Sequence, residues 1–376
     1  MRIGLFTNNY LPRVSGPANV VHNLYTGLKD SGHEVYVFAP KYTGAIKSEG
    51  DIIRIPSLRM PSNIFYPIPL PSFSDAEEII ERLDLDIFHS HHPTMIGKLA
   101  LFGAKLSNKP LVFTYHSEWG SYLRAMFPKS PIESIDKLFE GLLESYIRES
   151  DAVIVPNKVL YKKIDHKNIY LLPSAIRPFM TKEPRKILEE YKLSNDDKIL
   201  LCVSRLSPEK GIDFLIEMIA PILDGRDDLK LLLVGDGISK SKIKYLVKKF
   251  DLEDRVIFAG EVGYDDLPSF FKLAHIFVYP SRFDTQGLSV VEAMSFGLPI
   301  VSFNTPFFKE VVRDSGSGIT VDNETDFKEA VEKLINDNKA RVRMGESAKL
   351  KSVDFDHKKS ISTIIDIYKN LLSGQA

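Results

Sequence analysis

The feature that most constrains the fold is a repeated alternation of short apolar segments with helix-like segments. Short apolar strands separated by helices are typical of a parallel sheet that helices cover on both faces. In the first half of the chain, strands are predicted at Ile3–Thr7, Glu34–Ala39, Asp86–Ser90, Leu111–Tyr115 and Ala152–Val155. The helices predicted between them are Ala18–Ser31, Thr94–Leu106 and Pro131–Ser150.

The alternation stops at a polar segment rich in Lys and Glu, Arg177–Asp197, and then starts again. This segment is typical of a linker with a short helix. Beyond it, strands are predicted at Lys198–Val203, Lys230–Val234, Val256–Phe258, Ile276–Tyr279 and Pro299–Val301. The helices predicted there are Gly211–Ala220, Ser239–Phe250, Asp265–Leu273, Leu288–Phe296 and Phe307–Val312.

The pattern therefore predicts an α/β protein with two doubly wound, Rossmann-like domains that face a central cleft. A chain of 376 residues is long enough for two domains. The first domain is placed at residues 1–175 and the second at 176–355. Apolar residues at helical spacing predict a final amphipathic helix at about 356–376. Ligands of such sheets bind at the carboxyl ends of the strands, so both sheets are expected to present that edge to the cleft.

Composition excludes several classes of protein. A net charge of −1 gives no reason to expect a nucleic-acid partner, and no apolar run approaches the roughly 20 residues that span a bilayer. The single cysteine, Cys202, lies in an apolar segment and has no partner for an internal disulfide. We expect a cytoplasmic protein, with a peripheral position on the inner face of the cytoplasmic membrane as a further hypothesis.

The most informative loop lies within Tyr279–Met294, where a strand ends and a helix begins at about Gly287. A glycine there lets a ligand approach the backbone, and the first amides of the helix favour an anionic or hydroxyl-rich ligand. Two carboxylates, Asp284 and Glu292, lie on either side of the helix start. The alternative is an ordinary strand–loop–helix unit in which a carboxylate only complements the helix dipole.

A second loop, Val203–Gly211, follows the first strand of the second half. It carries Arg205 and Lys210, which would lie beside a helix N-terminus and could neutralise a diphosphate. The alternative is two solvated surface cations.

Two further turns follow strands. Gly235-Asp236-Gly237 suits backbone with positive φ, and is also consistent with simple turn chemistry. The loop that ends at Gly16 lacks a full dinucleotide fingerprint, so an ordinary strand–helix turn is an equally good interpretation.

Histidines concentrate in the first half: His89, His91 and His92 cluster at the end of one strand, and His116 follows another. Their spacing fits no common zinc pattern and no cysteine accompanies them, so no metal site is expected. His116 is the favoured functional residue, as a hydrogen-bonding or proton-handling group. For His89, packing beside a serine is an equally good interpretation.

Two segments, Pro56–Pro67 and Trp119–Lys129, mix aromatic, aliphatic and cationic residues. This mixture suits an apolar groove or a membrane interface. Loops folded over a small core of their own would have the same composition. The predicted helix Asn157–Lys163 adds three lysines, either as a basic contact or as a solvated face.

Taken together and in this order, these loops resemble the retaining glycosyltransferases of family 4, which share the GT-B fold. The resemblance covers nearly the whole chain. It rests on Arg205 with Glu209-Lys210-Gly211, on Gly235-Asp236-Gly237, and on an acid–seven residues–acid element that ends at Glu292-Ala293-Met294.

The resemblance implies a role for each matching position. Arg205 and Lys210 would bind the donor diphosphate, Glu292 the ribose hydroxyls, and His116 the sugar near the reaction centre. The loop at Gly16 would close over the phosphates, and the last helix would cross back onto the first domain.

The donor sugar would be held by Asp284 and by the backbone that follows it, at Gln286, Gly287 and Leu288. The family usually has Glu at the first acid, so Asp284 is a departure that leaves the donor sugar open. The local sequences Asp284–Leu288 and Pro12–Gly16 are similar to those of diacylglycerol glucosyltransferases, and this resemblance implies a lipid acceptor.

The sequence thus predicts a metal-independent hexosyltransferase. It would move a hexose from a nucleotide diphosphate sugar, a UDP-sugar such as UDP-glucose, to an acceptor hydroxyl with retention. The nucleotide sugar is a co-substrate, and no separate cofactor is expected. A membrane glycerolipid is the first acceptor considered, and a soluble sugar or polysaccharide is the second. A GT-B nucleotide-sugar epimerase and a non-catalytic protein that senses a nucleotide sugar stay open.

Overall fold

The protein is described from a computed structural model that covers residues 1–12, 15–42, 50–58, 67–116, 133–177, 185–282, 284 and 286–374. The chain divides into two compact units. Of the described residues, those up to Arg177 and those from Asp356 onward form the first unit, and those from 185 to Phe355 form the second.

Within the described residues, the first unit is built on a seven-stranded parallel sheet. The strands of this unit are β1 (Arg2–Phe6), β2 (Glu34–Pro40), β3 (Ile52–Ile55), β4 (Ser57–Leu58), β5 (Ile68–Pro69), β6 (Ile87–Ser90), β7 (Leu111–Thr114), β8 (Ala152–Val155) and β9 (Ile169–Leu171). The order across the sheet is β3-β2-β1-β6-β7-β8-β9, while β4 and β5 form a separate antiparallel pair.

The helices of the first unit cover both faces of this sheet. They are α1 (Gly16–Asp30), α2 (Phe73–Leu83), α3 (Ile96–Ser107), α4 (Glu133–Glu149) and α5 (Lys158–Lys163). Because successive strand residues point to opposite faces, Ile87 joins the apolar cluster beneath α1, whereas Phe88 joins the cluster beneath α2, α3 and α4. The same alternation sends His89 to the α1 face.

The second unit is built on a six-stranded parallel sheet within the described residues. Its strands are β10 (Lys198–Val203), β11 (Leu229–Val234), β12 (Val256–Gly260), β13 (Ile276–Tyr279), β14 (Ile300–Phe303) and β15 (Gly318–Val321). The order across the sheet is β12-β11-β10-β13-β14-β15.

The helices of the second unit alternate with its strands. They are α6 (Arg185–Glu190), α7 (Ile212–Asp224), α8 (Lys240–Lys249), α9 (Leu267–Leu273), α10 (Leu288–Ser295), α11 (Pro306–Phe308), α12 (Glu324–Asn336) and α13 (Asn338–Ser352). One face of the sheet packs against α7, α8 and α12 in a continuous apolar cluster. The two parallel-sheet, Rossmann-like units predicted from the sequence are confirmed.

The C-terminal helix α14 (His357–Leu372) belongs to the first unit. Asp356 caps it, accepting a hydrogen bond from the Lys359 amide at 2.8 Å. Its buried side chains, Ile361, Ile364 and Tyr368 among them, complete the apolar cluster beneath α1. The prediction that the last helix returns to the first unit is therefore confirmed. None of the helices in the described ranges is long and apolar enough to cross a membrane.

The strand order determines where ligands can bind. In each sheet the order reverses once, between β1 and β6 in the first unit and between β10 and β13 in the second. The loops that leave neighbouring strands at such a reversal diverge to opposite faces, which opens a crevice at the carboxyl edge. The loops that follow β10 and β13 are those selected from the sequence. The cleft expected between the two units stays a prediction.

Candidate functional site

The loop from β10 to α7 holds Arg205 through a buried carboxylate. Arg205 Nη2 donates to Glu209 Oε1 at 3.0 Å, and Ser207 Oγ donates to the same oxygen at 2.6 Å. Glu209 is 4% exposed, whereas a third of the Arg205 side chain is exposed. The guanidinium is thus anchored on one side by Glu209, while part of it faces solvent.

Lys210 lies in a polar group at the adjoining edge of the sheet. Its Nζ donates to both oxygens of Asp284, at 2.6 and 2.8 Å, and to the Tyr279 hydroxyl at 3.2 Å. The Tyr279 hydroxyl in turn donates to Asp284 Oδ2 at 2.7 Å. The ammonium and the carboxylate are mostly buried, with 13% and 22% of their side chains exposed.

The charge state of Asp284 follows from these contacts. Burial acts to raise the pKa of its carboxyl, but the charge of Lys210 and hydrogen bonds from Lys210, Ser281 and Tyr279 outweigh burial and hold the pKa below its usual value. Asp284 is therefore ionised at neutral pH and forms an ion pair with Lys210.

Gly287 shapes the turn into α10. Its φ of +65° is in the left-handed region, and a Cβ there would lie 2.7 Å from Phe308 Cζ. The neighbouring Gln286 is buried, and Leu288 is half-buried as the first residue of the helix. The backbone before α10 is therefore tightly packed on the Phe308 side, with helix amides at its end.

Glu292, one turn into α10, is a buried carboxylate with an unusual environment. It is 3% exposed, and its Oε1 has no hydrogen-bond partner among the described residues. Burial raises the pKa of Glu292 to about 7, an effect that Tyr264 opposes. A buried acceptor without a donor is destabilising, so this oxygen is suited to a hydrogen bond from a ligand.

The Gly235-Asp236-Gly237 turn packs against the Arg205 loop. Gly235 has a φ of +129°, and a Cβ there would lie 2.0 Å from the Ser204 carbonyl oxygen. The Leu206 amide donates to the Asp236 carbonyl at 3.0 Å. The Asp236 side chain instead pairs with Lys240 at 2.6 Å and is nearly half exposed. The two loops are thus in direct backbone contact. Only Gly235 of the two glycines has positive φ.

In the first unit, Gly16 is the first residue of α1. Ser15 caps the helix, with its Oγ accepting from the Ala18 amide at 3.2 Å. A Cβ at Gly16 would meet no atom of the described part of the chain within 4 Å, so packing against those residues does not demand glycine there. A role for Gly16 beside phosphates stays a prediction.

The four clustered histidines lie at the carboxyl ends of β6 and β7. His91 Nδ1 and the half-buried His116 Nε2 share a hydrogen bond of 2.8 Å. Burial lowers the pKa of His116 to about 4, so the ring is neutral at pH 7. His89 bonds the Tyr368 hydroxyl at 2.6 Å and the Thr114 hydroxyl at 2.7 Å. His89 is therefore a buried, packed side chain, but its partners are Tyr368 and Thr114, not a serine.

Other predictions fall outside the described residues. Most of Pro56–Pro67 and all of Trp119–Lys129 lie there, as do Phe283 and Thr285. The lysine-bearing helix is present as α5, with its three lysines exposed.

Some residues in these clusters were not selected from the sequence. Tyr279 and Glu209 hold the two predicted cations, and His91 holds His116. Glu209 and His91 lie close in the sequence to residues that were selected. Tyr279 was predicted only as the last residue of a buried strand.

Similarity to known proteins agrees with the fold. Residues 14–173 match the family model described as Glycosyltransferase Family 4, and residues 184–351 match Glycosyl transferases group 1. The chain is 29% identical to the alpha-monoglucosyldiacylglycerol synthase of Streptococcus pneumoniae over 88% of this chain and 77% of that protein. It is 25% identical to a GDP-mannose-dependent alpha-mannosyltransferase of Corynebacterium glutamicum, over 90% of this chain and 82% of that protein.

Two solved structures have the same fold. Sucrose-phosphate synthase from Thermosynechococcus elongatus superposes with a TM-score of 0.79 at 20% identity, covering 99% of both chains. Anabaena HepE in complex with UDP and glucose gives a TM-score of 0.75 at 16% identity, covering 98% of this chain and 99% of that one.

The paired parallel-sheet units define a GT-B protein. The two family models together span most of the chain, so the chain carries a Glycosyltransferase Family 4 domain followed by a Glycosyl transferases group 1 domain, the two parts of a glycosyltransferase.

Proposed function

We propose that this glycosyltransferase moves a hexose, with retention, from a nucleotide diphosphate sugar such as UDP-glucose to a hydroxyl of a membrane glycerolipid. The observation that carries the donor half of the proposal is the polar group at the β10–β13 reversal. There Lys210, Asp284 and Tyr279 lie in mutual contact. Arg205 and Glu292 belong to the same two strand–loop–helix units, and Glu292 Oε1 has no hydrogen-bond partner among the described residues.

The two cations suit a diphosphate leaving group. Departure of a nucleoside diphosphate places developing negative charge on phosphate oxygens, and fixed cations stabilise that charge. Arg205 supplies a planar fork and Lys210 a point charge, both already positioned by carboxylates. These residues can do this without a metal ion, so we expect transfer to persist in EDTA.

The remaining contacts with the donor are proposed for the same two strand–loop–helix units. Glu292 Oε1 would accept from a ribose hydroxyl, and Asp284 with the backbone at Gln286–Leu288 would hold the hexose. The Gly235-Asp236-Gly237 turn, which packs against the Arg205 loop, would complete the donor-binding edge of the sheet. In this proposal the second unit binds the donor, and the first, with Gly16 and His116, binds the acceptor and meets the sugar.

Retention is proposed from the chemistry of the donor. Glucose is α-linked in UDP-glucose, so an α-linked product requires retention. The related synthases of S. pneumoniae and Acholeplasma laidlawii carry "alpha" in their names. We propose that the leaving phosphate takes the proton of the acceptor hydroxyl.

The lipid acceptor is supported by the same two relatives, both described as alpha-monoglucosyldiacylglycerol synthases, at 29% and 28% identity. The aromatic and cationic residues of Pro56–Pro67 and Trp119–Lys129 suit an interface with lipid. We propose that these segments bring the enzyme to the inner face of the cytoplasmic membrane.

The experiment that tests this function uses purified protein, UDP-[14C]glucose and vesicles that contain diacylglycerol. The expected result is radiolabel in an organic-extractable lipid, released UDP in equal amount, and an α-anomeric signal in the proton NMR spectrum of the product. Vesicles without diacylglycerol are the control for hydrolysis of the donor.

Other outcomes identify the alternatives. Transfer to water-soluble sugars but not to lipid would contradict the proposed lipid acceptor but not the proposed donor. Conversion of the donor without any acceptor would favour an epimerase. Transfer from GDP-mannose in place of UDP-glucose would contradict the proposed donor. The similarity to the GDP-mannose-dependent mannosyltransferase is the reason to test it.

A further inference from the structure

A small cavity lies within the first unit, behind the histidine cluster. It has a volume of about 40 Å³ and lies between α1, the carboxyl ends of β6 and β7, and α14. Among its lining residues are Asn23, His89, His91, Thr114 and Ser360. A cavity of this kind needs about 10–15 Å³ for each water molecule, so it has room for water.

Two buried polar atoms belong to side chains that line this cavity. Asn23 is 4% exposed and His91 is 2% exposed, and neither Asn23 Nδ2 nor His91 Nε2 has a hydrogen-bond partner among the described residues. An amide nitrogen can only donate, whereas a neutral imidazole nitrogen without hydrogen can only accept. One water that accepts from Asn23 Nδ2 and donates to His91 Nε2 would satisfy both and have one hydrogen left to place, whereas a water that accepts from both nitrogens would have two left to place.

We propose that this water-bridged contact makes His91 a positioning residue that holds His116 as its Nδ1–H tautomer. With Nε2 accepting, neutral His91 carries its hydrogen on Nδ1 and donates it to His116 Nε2, 2.8 Å away. Neutral His116 then carries its own hydrogen on Nδ1. The inference rests on the proposed function, in which His116 meets the sugar.

Both rings are neutral under ordinary conditions. Burial lowers the pKa of His116 to about 4 and that of His91 well below its usual value, with neighbouring His89, His116 and His92 adding to the effect at His91. Each ring therefore has one hydrogen, and the position of one hydrogen determines the position of the other.

The orientation of His91 is fixed by its neighbours. Its ring stacks on His89 at 4.4 Å and on His116 at 5.1 Å between centroids. His89 is itself held by Tyr368 and Thr114, and the His91 amide donates to the Phe6 carbonyl at 2.9 Å. His91 therefore keeps its Nδ1 directed at His116.

The tautomer decides what His116 can do. A ring with hydrogen on Nδ1 donates to an oxygen of the substrate from that atom and cannot remove a proton with it. His116 would then orient a sugar hydroxyl, and the acceptor proton would be taken elsewhere.

The test is the tautomer of His116 in the full-length protein labelled with 15N-histidine, measured at pH 7.5 by long-range 1H–15N correlation. The expected spectrum has a protonated Nδ1 and an unprotonated Nε2 for both His91 and His116. A His116 ring protonated on Nε2 would overturn the proposal. This readout needs no activity, so it separates a failure of the inference from a failure of the proposed function.

Three variants test the positioning role. His91→Leu should mix the His116 tautomers and lower kcat by about 10- to 100-fold, the range found for partners that orient histidine ligands of metals, with little change in the donor KM. His91→Asn places an amide donor near the original Nδ1 and should restore part of kcat. His166→Asn, at a half-buried histidine outside the cluster, is the control. A folded His91→Leu enzyme with an unchanged tautomer and unchanged kcat would contradict the proposal.

Discussion

Lys210 is fixed by three hydrogen bonds, two to Asp284 and one to Tyr279. A lysine that is already immobilised loses little side-chain entropy when it binds an anion. Asp284 therefore has a positioning effect on Lys210 in addition to any contact with the sugar.

Replacing Lys210 tests its role. We expect Lys210→Ala to lower kcat/KM for transfer by on the order of 10²–10³-fold, because one fixed cation at the developing diphosphate charge is lost. The matched control is Lys242→Ala, which removes a lysine paired with Asp213 on α7 and largely exposed. A folded Lys210→Ala enzyme with the turnover of the control would refute the role of Lys210 at the diphosphate.

Glu292 gives a pH-dependent prediction. Because burial raises its pKa to about 7 in the folded protein, its contribution to the free energy of unfolding is fully present below its unfolded pKa and is lost as the pH rises through about 7. Glu292→Gln should therefore stabilise the second unit at pH 8, by about 3 kcal/mol at most, with the gain vanishing near pH 4.5. Calorimetry at several pH values measures this, and a gain that grows as the pH falls would contradict it.

The sequence was enough to select Arg205, Lys210, Asp284 and Glu292, since each lies in a short motif next to a predicted strand or helix end. It was not enough to find their partners. The contacts made by Tyr279 join residues that lie 69 positions apart in the chain, and only the folded sheet brings them together.

At the scale of elements, most central strands and the helices between them were predicted, but the helices α2, α12 and α13 were not. The strand β13 and the helix start after Gly287 agree with the prediction. The short strands β3, β9 and β15 were missed, because a three- or four-residue strand with half-buried positions has little apolar signal. The predicted helix Phe307–Val312 is instead a short α-helical turn followed by a π-helix at Lys309–Arg313.

The buried histidines at the ends of β6 and β7 lead to a prediction about the stability of the first unit at low pH. Burial lowers the pKa of His89 and of His92 to about 3, with the charge of His116 adding to the effect. A lowered folded pKa means that their stabilising effect is present above the unfolded pKa of about 6.5 and is lost as the pH falls toward 3.

We therefore expect the melting temperature of the first unit to start falling below about pH 6.5. The variant His89→Gln should fall less steeply, whereas His166→Gln should follow the wild type. Melting curves that are flat between pH 6.5 and 5 would contradict this.

At the scale of the whole molecule, the first unit is made from both ends of the chain. Helix α14 covers part of its core, and Tyr368 is fully buried there with its hydroxyl on His89. The first unit is therefore complete only when the C-terminal segment has docked.

Tyr368→Ala should remove about 3–5 kcal/mol from the first unit, the usual cost of deleting a large buried aromatic ring. The control is Leu372→Ala, at the exposed end of the same helix. Calorimetry should show a lower transition for the first unit and an unchanged one for the second. Equal effects of the two variants would show that α14 contributes little to the core.

The central claim is that the crevice at the β10–β13 reversal binds a nucleoside diphosphate through Arg205, Lys210 and Glu292. A thermal-shift titration of the purified protein with UDP, GDP and ADP tests it most directly. At 100 times its dissociation constant, a ligand should stabilise the protein by about 2.7 kcal/mol. We expect such a shift with one nucleotide, UDP, and its loss in Lys210→Ala and Glu292→Ala. No shift with any of the three, or a UDP shift that both variants retain, would contradict it.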